Sequence, residues 1–349
     1  MKPSNRREFA LERSLSSCSL SAAGLLFGLL LLPFSNAESL QFALVAKRVD
    51  QHFFIQVGKG CAEAAQAEGD TCLLLGPSGP AHFRRQNEAL EQALDKDLDG
   101  IALSVTHSKW LAEHALKRAS KPPLITFDSD LGPAEQHLRR SYVGLDNLAF
   151  GRQLGRLVQR FRPQGGRLCI LSGSPQDTNL QERIQGIRQQ LLRSGRGADG
   201  AVDPLNGENG WNESQRCPLY SADDQEKALI QLTTLLSTSQ VDAIVTTGSW
   251  PIYQADAFRR QLGPLLAERG KRGTGPVIIM TADEPDEAQL ELLDEGLVQA
   301  YLGAQSRELG RQSYRILKHL ARDEPIPEKV LVGSHIYLPK ASPDLPSEY

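Results

Sequence analysis

The chain holds 349 residues, 40% apolar and 23% charged, with 30 Gly, 20 Pro and two Met. That length suits two domains, each able to bury a core, and a formal net charge of −3 gives no support to a nucleic-acid-binding surface. No low-complexity tract and no second apolar run long enough to span a bilayer is present, so disordered, fibrous and polytopic-membrane classes are excluded.

The first 37 residues read as a secretory signal peptide. Lys2, Arg6, Arg7 and Arg13 make a basic start, Ser14 to Ala37 carries no charge, and Ala22 to Leu32 is almost wholly apolar. Pro33 breaks that run, and Ser35-Asn36-Ala37 offers small residues for cleavage after Ala37. The apolar core is shorter than the roughly 20 residues of a spanning helix, so stable membrane insertion is not expected after cleavage. Arg6-Arg7-Glu8-Phe9 resembles the twin-arginine export motif, with Asn5 and Ala10 departing from its usual flanks, and the export route stays open. Leu15-Ser16-Ser17-Cys18 precedes the apolar run instead of following it, so it is not a lipidation box. Cleavage takes four basic and two acidic side chains and leaves 312 residues with a formal charge of −5.

The remaining chain alternates apolar runs with amphipathic stretches. FALVAK (42–47) reads as a strand, followed by a helix up to Glu68, the strand TCLLLG (71–76) and the loop Gly76 to Pro80. A helix follows through Leu94, then GIALSV (100–105), a helix over 108–119, and PLITFD (123–128). After SYVGLDN (141–147) the rhythm restarts with a helix over 149–161, the strand RLCILSG (167–173) and a helix over 181–193. A Gly- and Asn-rich loop over 195–215 surrounds a poorly defined strand; a helix over 224–237, DAIVTTG (242–248), a helix ending near Arg269 and PVIIMTAD (276–283) complete the half. Short apolar runs between helices are strands buried on both faces of a parallel sheet. The fold class is α/β, with two doubly wound lobes and a cleft at the C-terminal ends of their strands.

The residues that follow those strands form a polar and aromatic set. The first half supplies Asp50, Gln51, His52, Phe53 and Phe54, then Ser104, Thr106 and Asp128; the link supplies Asp146 and Asn147. The second supplies Gln176, Asp177 and Arg183, then Gly248-Ser249-Trp250 and Asp283. Carboxylates accept from hydroxyls, a guanidinium donates in a fixed fork, and aromatic rings cover the apolar faces of a sugar. Each has a plainer role: Phe53 and Phe54 as core, Asp128 and Asp146 as helix caps, Arg183 as a surface ion pair, Trp250 as lobe packing. Among the cysteines, Cys61 and Cys72 flank the end of one helix and can meet, Cys169 in LCIL reads as a buried thiol, and a Cys169–Cys217 pair is left open. No CxxC motif or Cys/His cluster offers a metal site, and no cofactor is expected.

The order of these motifs resembles the periplasmic sugar-binding proteins of ABC transporters, the ribose/galactose-type group with the type I periplasmic-binding fold. FALVAKRVDQHFFIQVGKGCAEAA is similar to that group's opening strand, aromatic turn and first helix; PPLITFDSDL to its fourth strand with a ligand-binding Asp; SYVGLDNLAFGRQLG to its crossover. QERIQGI resembles the helix that carries a ligand Arg, and VIIMTADEPDEAQLELLDEGLVQAYLGAQSRELG the closing strand, Asp, helix and Gln-containing strand. The resemblance implies a pocket of Phe53, Phe54, Asp128, Arg183 and Asp283, with Asp50 or Gln51 beside them; Ser104 and Trp250 join from the strand ends. Gln305 matches the group's Gln with an offset of about one residue. His52 stands in place of the usual Pro, Ser129 in place of a frequent Arg, and Gly248-Ser249-Trp250 in place of Asn-Asp. The resemblance also implies three crossings, near 145, 304 and 332, that make both lobes discontinuous: 38–145 plus 305–331 and 146–304 plus 332–349.

The expected function is non-catalytic capture of a small polar ligand, foremost a sugar, between lobes that close like a hinge. The partner is then an ABC importer permease; the alternative is a membrane sensor kinase or chemoreceptor that reads the closed form. An exported hydrolase with Asp128 and Asp283 as its carboxylate pair is the enzymatic alternative, but GxSxG and HExxH are absent and the seven His are scattered. Gly58-Lys59-Gly60 lies within a helix and lacks a third Gly, so dinucleotide binding is dismissed.

Overall fold

The computed structural model describes residues 39–118, 122–192, 202–238 and 241–340. The segment read as a signal peptide, and the start of the loop expected over 195–215, lie outside the described residues.

Each apolar run becomes a strand because its backbone groups pair with neighbours while both faces meet helices. The first half forms β1 (Gln41–Val45), α1 (His52–Ala67), β2 (Thr71–Leu75), α2 (Phe83–Leu94), β3 (Gly100–Leu103), α3 (Ser108–Glu113), β4 (Leu124–Phe127) and β5 (Tyr142–Gly144). The second forms α4 (Asn147–Phe161), β6 (Gly166–Ser172), α5 (Thr178–Leu192), β7 (Trp211–Glu213), β8 (Leu219–Tyr220), α6 (Gln225–Thr238) and β9 (Ala243–Thr246). It continues through α7 (Ala255–Lys271), β10 (Val277–Ala282), α8 (Glu287–Asp294) and β11 (Ala300–Ala304). The chain closes with α9 (Ser306–Ala321), β12 (Lys329–Leu331) and β13 (Ser334–Tyr337).

Two sheets result. The first runs β12-β5-β4-β3-β1-β2, all parallel; the second runs β13-β11-β10-β9-β6-β7, with β8 also on β6 and β13 antiparallel to β11. The chain therefore leaves the first sheet after β5, returns after β11 through α9, and crosses last between β12 and β13. Both faces of each sheet are packed: Phe42, Leu44 and Phe127 lie on one side of the first and Val45, Ile101 and Leu103 on the other. Leu168, Ile170 and Val245 lie on one side of the second, with Leu171, Ile244 and Met280 on the other. This is the doubly wound, three-crossing architecture expected from the sequence.

Three local readings are corrected. The helix expected over 108–119 stops at Glu113, because the Ala115 N–H donates to the Asn87 side chain (3.0 Å) and a single 3-10 turn follows over 115–117. α4 begins two residues early, since Asp146 accepts from the Ala149 N–H (2.8 Å) and caps it. Cys169 is not a free thiol: it bonds to Cys217, and Cys61 bonds to Cys72. Among the described residues no helix is long and apolar enough to cross a membrane, and no His, Cys, Asp and Glu cluster fits a metal ion.

Candidate functional site

The C-terminal ends of the strands from both sheets meet around a cavity of about 50 Å3. From the first lobe come Lys47 and Gln51 after β1, Phe53 and Phe54 on the first turn of α1, and Asp128 after β4. From the second come Asn179 and Arg183 on α5, Asp223 after β8, Ser249 and Trp250 after β9, Thr281 on β10 and Asp283 after it.

Arg183 is no surface residue. It is buried against the Phe150 ring at 4.7 Å, its Nε donates to Asn147 Oδ1 (2.9 Å) and its Nη1 to the Thr247 carbonyl (2.8 Å). Burial lowers its pKa, against the pull of Asp128, Tyr142 and Asp283. Asn147, read from the sequence as a link residue, thus aims the guanidinium. Phe54 is buried in the core and stacks edge-to-face on Phe127, while half-buried Phe53 packs edge-on to Phe54 at 5.0 Å between centroids. Phe54 therefore meets both readings, core and cavity wall.

Asp128 sits in left-handed backbone, φ 60°, a conformation Asp tolerates better than most residues. Its two oxygens are spoken for: Ser104 Oγ donates to Oδ2 (2.8 Å) and Asn179 Nδ2, from the other lobe, donates to Oδ1 (3.2 Å). Asp283 accepts from Ser249 Oγ (3.2 Å), with His52 Nδ1 at 3.8 Å. The nearby Asp283 carboxylate outweighs partial burial and raises the His52 pKa.

Lys47 lies at the centre and is almost wholly buried. Its Nζ donates to Asp177 Oδ2 across the cleft (2.9 Å), approaches Asn179 Oδ1 (3.4 Å) and stands 4.0 Å from Asp128. Burial alone lowers an ammonium pKa, but Asp177, Asp128 and Asp223 together hold that of Lys47 above its usual value. Burial pushes the Asp177 carboxyl up, with Lys47 opposing. Burial first, and repulsion from Asp177 second, push Asp223 up to about 7. Further bonds close the cleft: Arg48 Nη1 donates to the Asp223 carbonyl (2.8 Å), Gln51 Nε2 to the Tyr253 hydroxyl, and Thr178 Oγ1 to the Asp130 carbonyl (2.8 Å).

Three of the residues expected at the site do not line the cavity. Asp50 turns outward, where Arg48 Nε (2.7 Å) and the Gly79 N–H (2.9 Å) donate to it. Ser104 stands behind Asp128 and orients it. Gln305 is exposed one residue beyond β11, and Ala304 takes the cavity-facing position. Sequence reasoning missed Lys47, Asn179 and Asp223. A lysine ending the apolar run FALVAK was the available signal for the first. Asn179 lay just ahead of the expected helix, and Asp223 just ahead of another; neither carried a signal of its own.

Residues 42–325 match the family model described as a periplasmic binding protein domain. The D-allose-binding periplasmic protein of Escherichia coli (strain K12) is 21% identical over 303 residues, which cover 84% of this chain and 88% of that protein. Among solved structures, a glucose-galactose binding protein from Geobacillus stearothermophilus is 20% identical with a TM-score of 0.70, covering 88% of this chain and 99% of that one. An ABC transporter solute-binding protein from Burkholderia graminis in complex with D-arabinose is 21% identical with a TM-score of 0.70, covering 87% and 96%. Another from Agrobacterium vitis with bound D-fucose is 19% identical with a TM-score of 0.71, covering 86% and 96%. At these identities the likeness to solved structures shows the fold.

Proposed function

The chain belongs to the periplasmic binding protein domain family, and from that premise we propose that it captures a sugar between its lobes and delivers it to an ABC importer. The observation that carries this reading is the cavity wall itself. Carboxylates of Asp128, Asp223 and Asp283, the guanidinium of Arg183 and the rings of Phe53 and Trp250 converge there from both lobes. Carboxylates accept from sugar hydroxyls, the guanidinium donates, and the rings cover the apolar ring face. The sugar-bound relatives support the ligand class, and the solute-binding relatives support the transporter.

Capture works by lobe closure. The lobes divide as 38–145 plus 305–331 and 146–304 plus 332–349, a division supported by α9 and β12 joining the first sheet's layers and β13 joining the second sheet. Lys47–Asp177 and Asn179–Asp128 latch them across the cleft, and a ligand held by both faces shifts the population toward the closed form. Export to the periplasm uses the segment 1–37 as a signal peptide cleaved after Ala37, by a route that Arg6-Arg7 leaves open.

Thermal unfolding of the purified mature protein over monosaccharides and polyols tests the reading. One or a few ligands should raise the midpoint, because a ligand of the folded state stabilises it. Asp128→Ala and Arg183→Ala should each weaken that ligand by about 2 kcal/mol, the loss of a buried charged hydrogen bond. No shift over the panel, or unchanged affinity in both variants, overturns it.

A further inference from the structure

The charges around the cleft do not balance. Lys47 and Arg183 face four buried carboxylates, Asp128, Asp177, Asp223 and Asp283. Arg48 is already neutralised by Asp50 and reaches only the Asp223 carbonyl, and His52 stands outside, beside Asp283. Lys47 is committed to Asp177, and Asp128 accepts on both oxygens. Asp223 is the group left over: it lines the cavity wall with Trp250 and Leu180, and its Oδ1 is buried without a hydrogen-bond partner.

Buried polar atoms without partners are rare in folded proteins. A second such atom, Gln51 Oε1, belongs to the same wall. Both are acceptors, so the wall asks for donors. The backbone agrees: Ala222 and Asp223 are consecutive non-glycine residues in left-handed conformation, φ 57° and 58°, and strain of that kind gathers at ligand clamps. A hydroxyl satisfies one lone pair and leaves the excess negative charge in place. An ammonium brings donors without an acceptor and cancels charge in the same step.

We propose that the ligand is an amine-bearing sugar whose ammonium is seated on Asp223. The proposal rests on the sugar-binding reading and narrows it. The raised pKa of Asp223 is consistent, because burial and the Asp177 charge outweigh the pull of Lys47 and Arg48 and favour a proton where a ligand cation is absent. Gln51 Oε1 then accepts from a ring hydroxyl.

Calorimetric titration at pH 7.5 with matched sets tests it, each set being a neutral hexose, its amino-deoxy form and its N-acetylamino form, in gluco, galacto and manno configurations with the nitrogen at carbon 2 or carbon 6. At least one amine should bind tenfold or more tightly than both its neutral parent and its N-acetyl form. Asp223→Asn should erase that preference, the amine binding that variant no more tightly than its neutral parent does, and Asn fits the left-handed backbone. Neutral sugars binding as tightly as every amine, or an Asn variant that keeps the preference, overturns the proposal and leaves the sugar-binding reading standing. Binding by neither kind of sugar overturns both. The comparison within the unaltered protein decides the matter even where the variant folds poorly.

Discussion

Each lobe carries one disulfide, one helix pair crossed at glycines, and one cleft aspartate in left-handed backbone. In the first lobe Asp128 accepts on both oxygens; in the second Asp223 keeps Oδ1 without a partner. In the first, α1 and α9 cross where a Cβ on Gly60 would lie 2.0 Å from the Arg307 carbonyl oxygen and one on Gly310 would lie 2.0 Å from that of Val57. In the second, α4 and α5 cross where a Cβ on Gly151 would lie 2.2 Å from the Arg183 carbonyl oxygen and one on Gly186 would lie 2.2 Å from that of Leu148. The first lobe's aspartate is saturated, in part by Asn179 of the other lobe. The second lobe's aspartate keeps an unmet oxygen, and that lobe's helix crossing fixes the height of the cavity arginine.

The disulfides carry the largest single effects. Cys61–Cys72 closes 11 residues, whereas Cys169–Cys217 closes 48. On the chain-entropy account, replacing the second pair by alanines should cost roughly 4 kcal/mol and the first roughly 3 kcal/mol. Urea unfolding of the two double variants reads the difference; a first-lobe loss equal to or above the second-lobe loss breaks the argument from loop length.

Glycine substitutions separate the two crossings next. Gly60→Ala and Gly151→Ala each force backbone apart and should cost about 2–3 kcal/mol of stability. Only Gly151→Ala moves Arg183, so only that variant should also lose tenfold or more in ligand affinity. Equal affinity losses in both would mean that the crossing has no special hold on the cavity.

The aspartates should answer Asp→Asn substitution at pH 8 with opposite signs. Asp223 has a folded pKa of about 7 against an ordinary 3.8, with Lys47, Arg48, Asp177 and Asp128 facing it. The folded state then holds a proton that the unfolded chain has lost, so stability falls as pH rises from about 4 to 7 and levels off above. Asp223→Asn should therefore gain roughly 2 kcal/mol at pH 8 and little at pH 4. Asp128→Asn places an amide N–H2 against one of its two donors and loses the attraction of Lys47, so it should cost about 1–2 kcal/mol at pH 8. Melting curves at the two pH values measure both; destabilisation by Asp223→Asn at pH 8 would remove the asymmetry between the lobes.

The asymmetry also governed what the sequence displayed. Strands showed themselves as apolar runs, and strand ends placed Phe53, Phe54, Asp128, Arg183, Trp250 and Asp283 at one cleft because parallel sheets deliver their C-terminal ends to one edge. Asp223 escaped because it follows a strand of only two residues, Leu219–Tyr220, and owes its direction to two left-handed backbone angles that no side-chain pattern announces. Lys47 escaped because a cation at the end of a buried run becomes tolerable only through Asp177, 130 residues away. The disulfide at Cys169 was hidden for the same reason: its partner lies beyond the loop whose strands were poorly defined.

Position in the chain and position at the cavity part company most clearly at Asp50 and Gln305. Both follow a strand that faces the cleft, yet Asp50 folds back on Arg48 and the Gly79 amide. Gln305 stands exposed at the start of α9, its amide group 3.6–3.8 Å from where a Cβ on Gly333 would lie. Neither reaches the wall, so Asp50→Ala and Gln305→Ala should change ligand affinity by less than about 0.5 kcal/mol, the range of surface substitutions away from special features. Titration of both variants with the best ligand of the panel checks this. A tenfold loss at Gln305 would show that the hinge beside β11, and not the walls alone, sets the grip on the ligand.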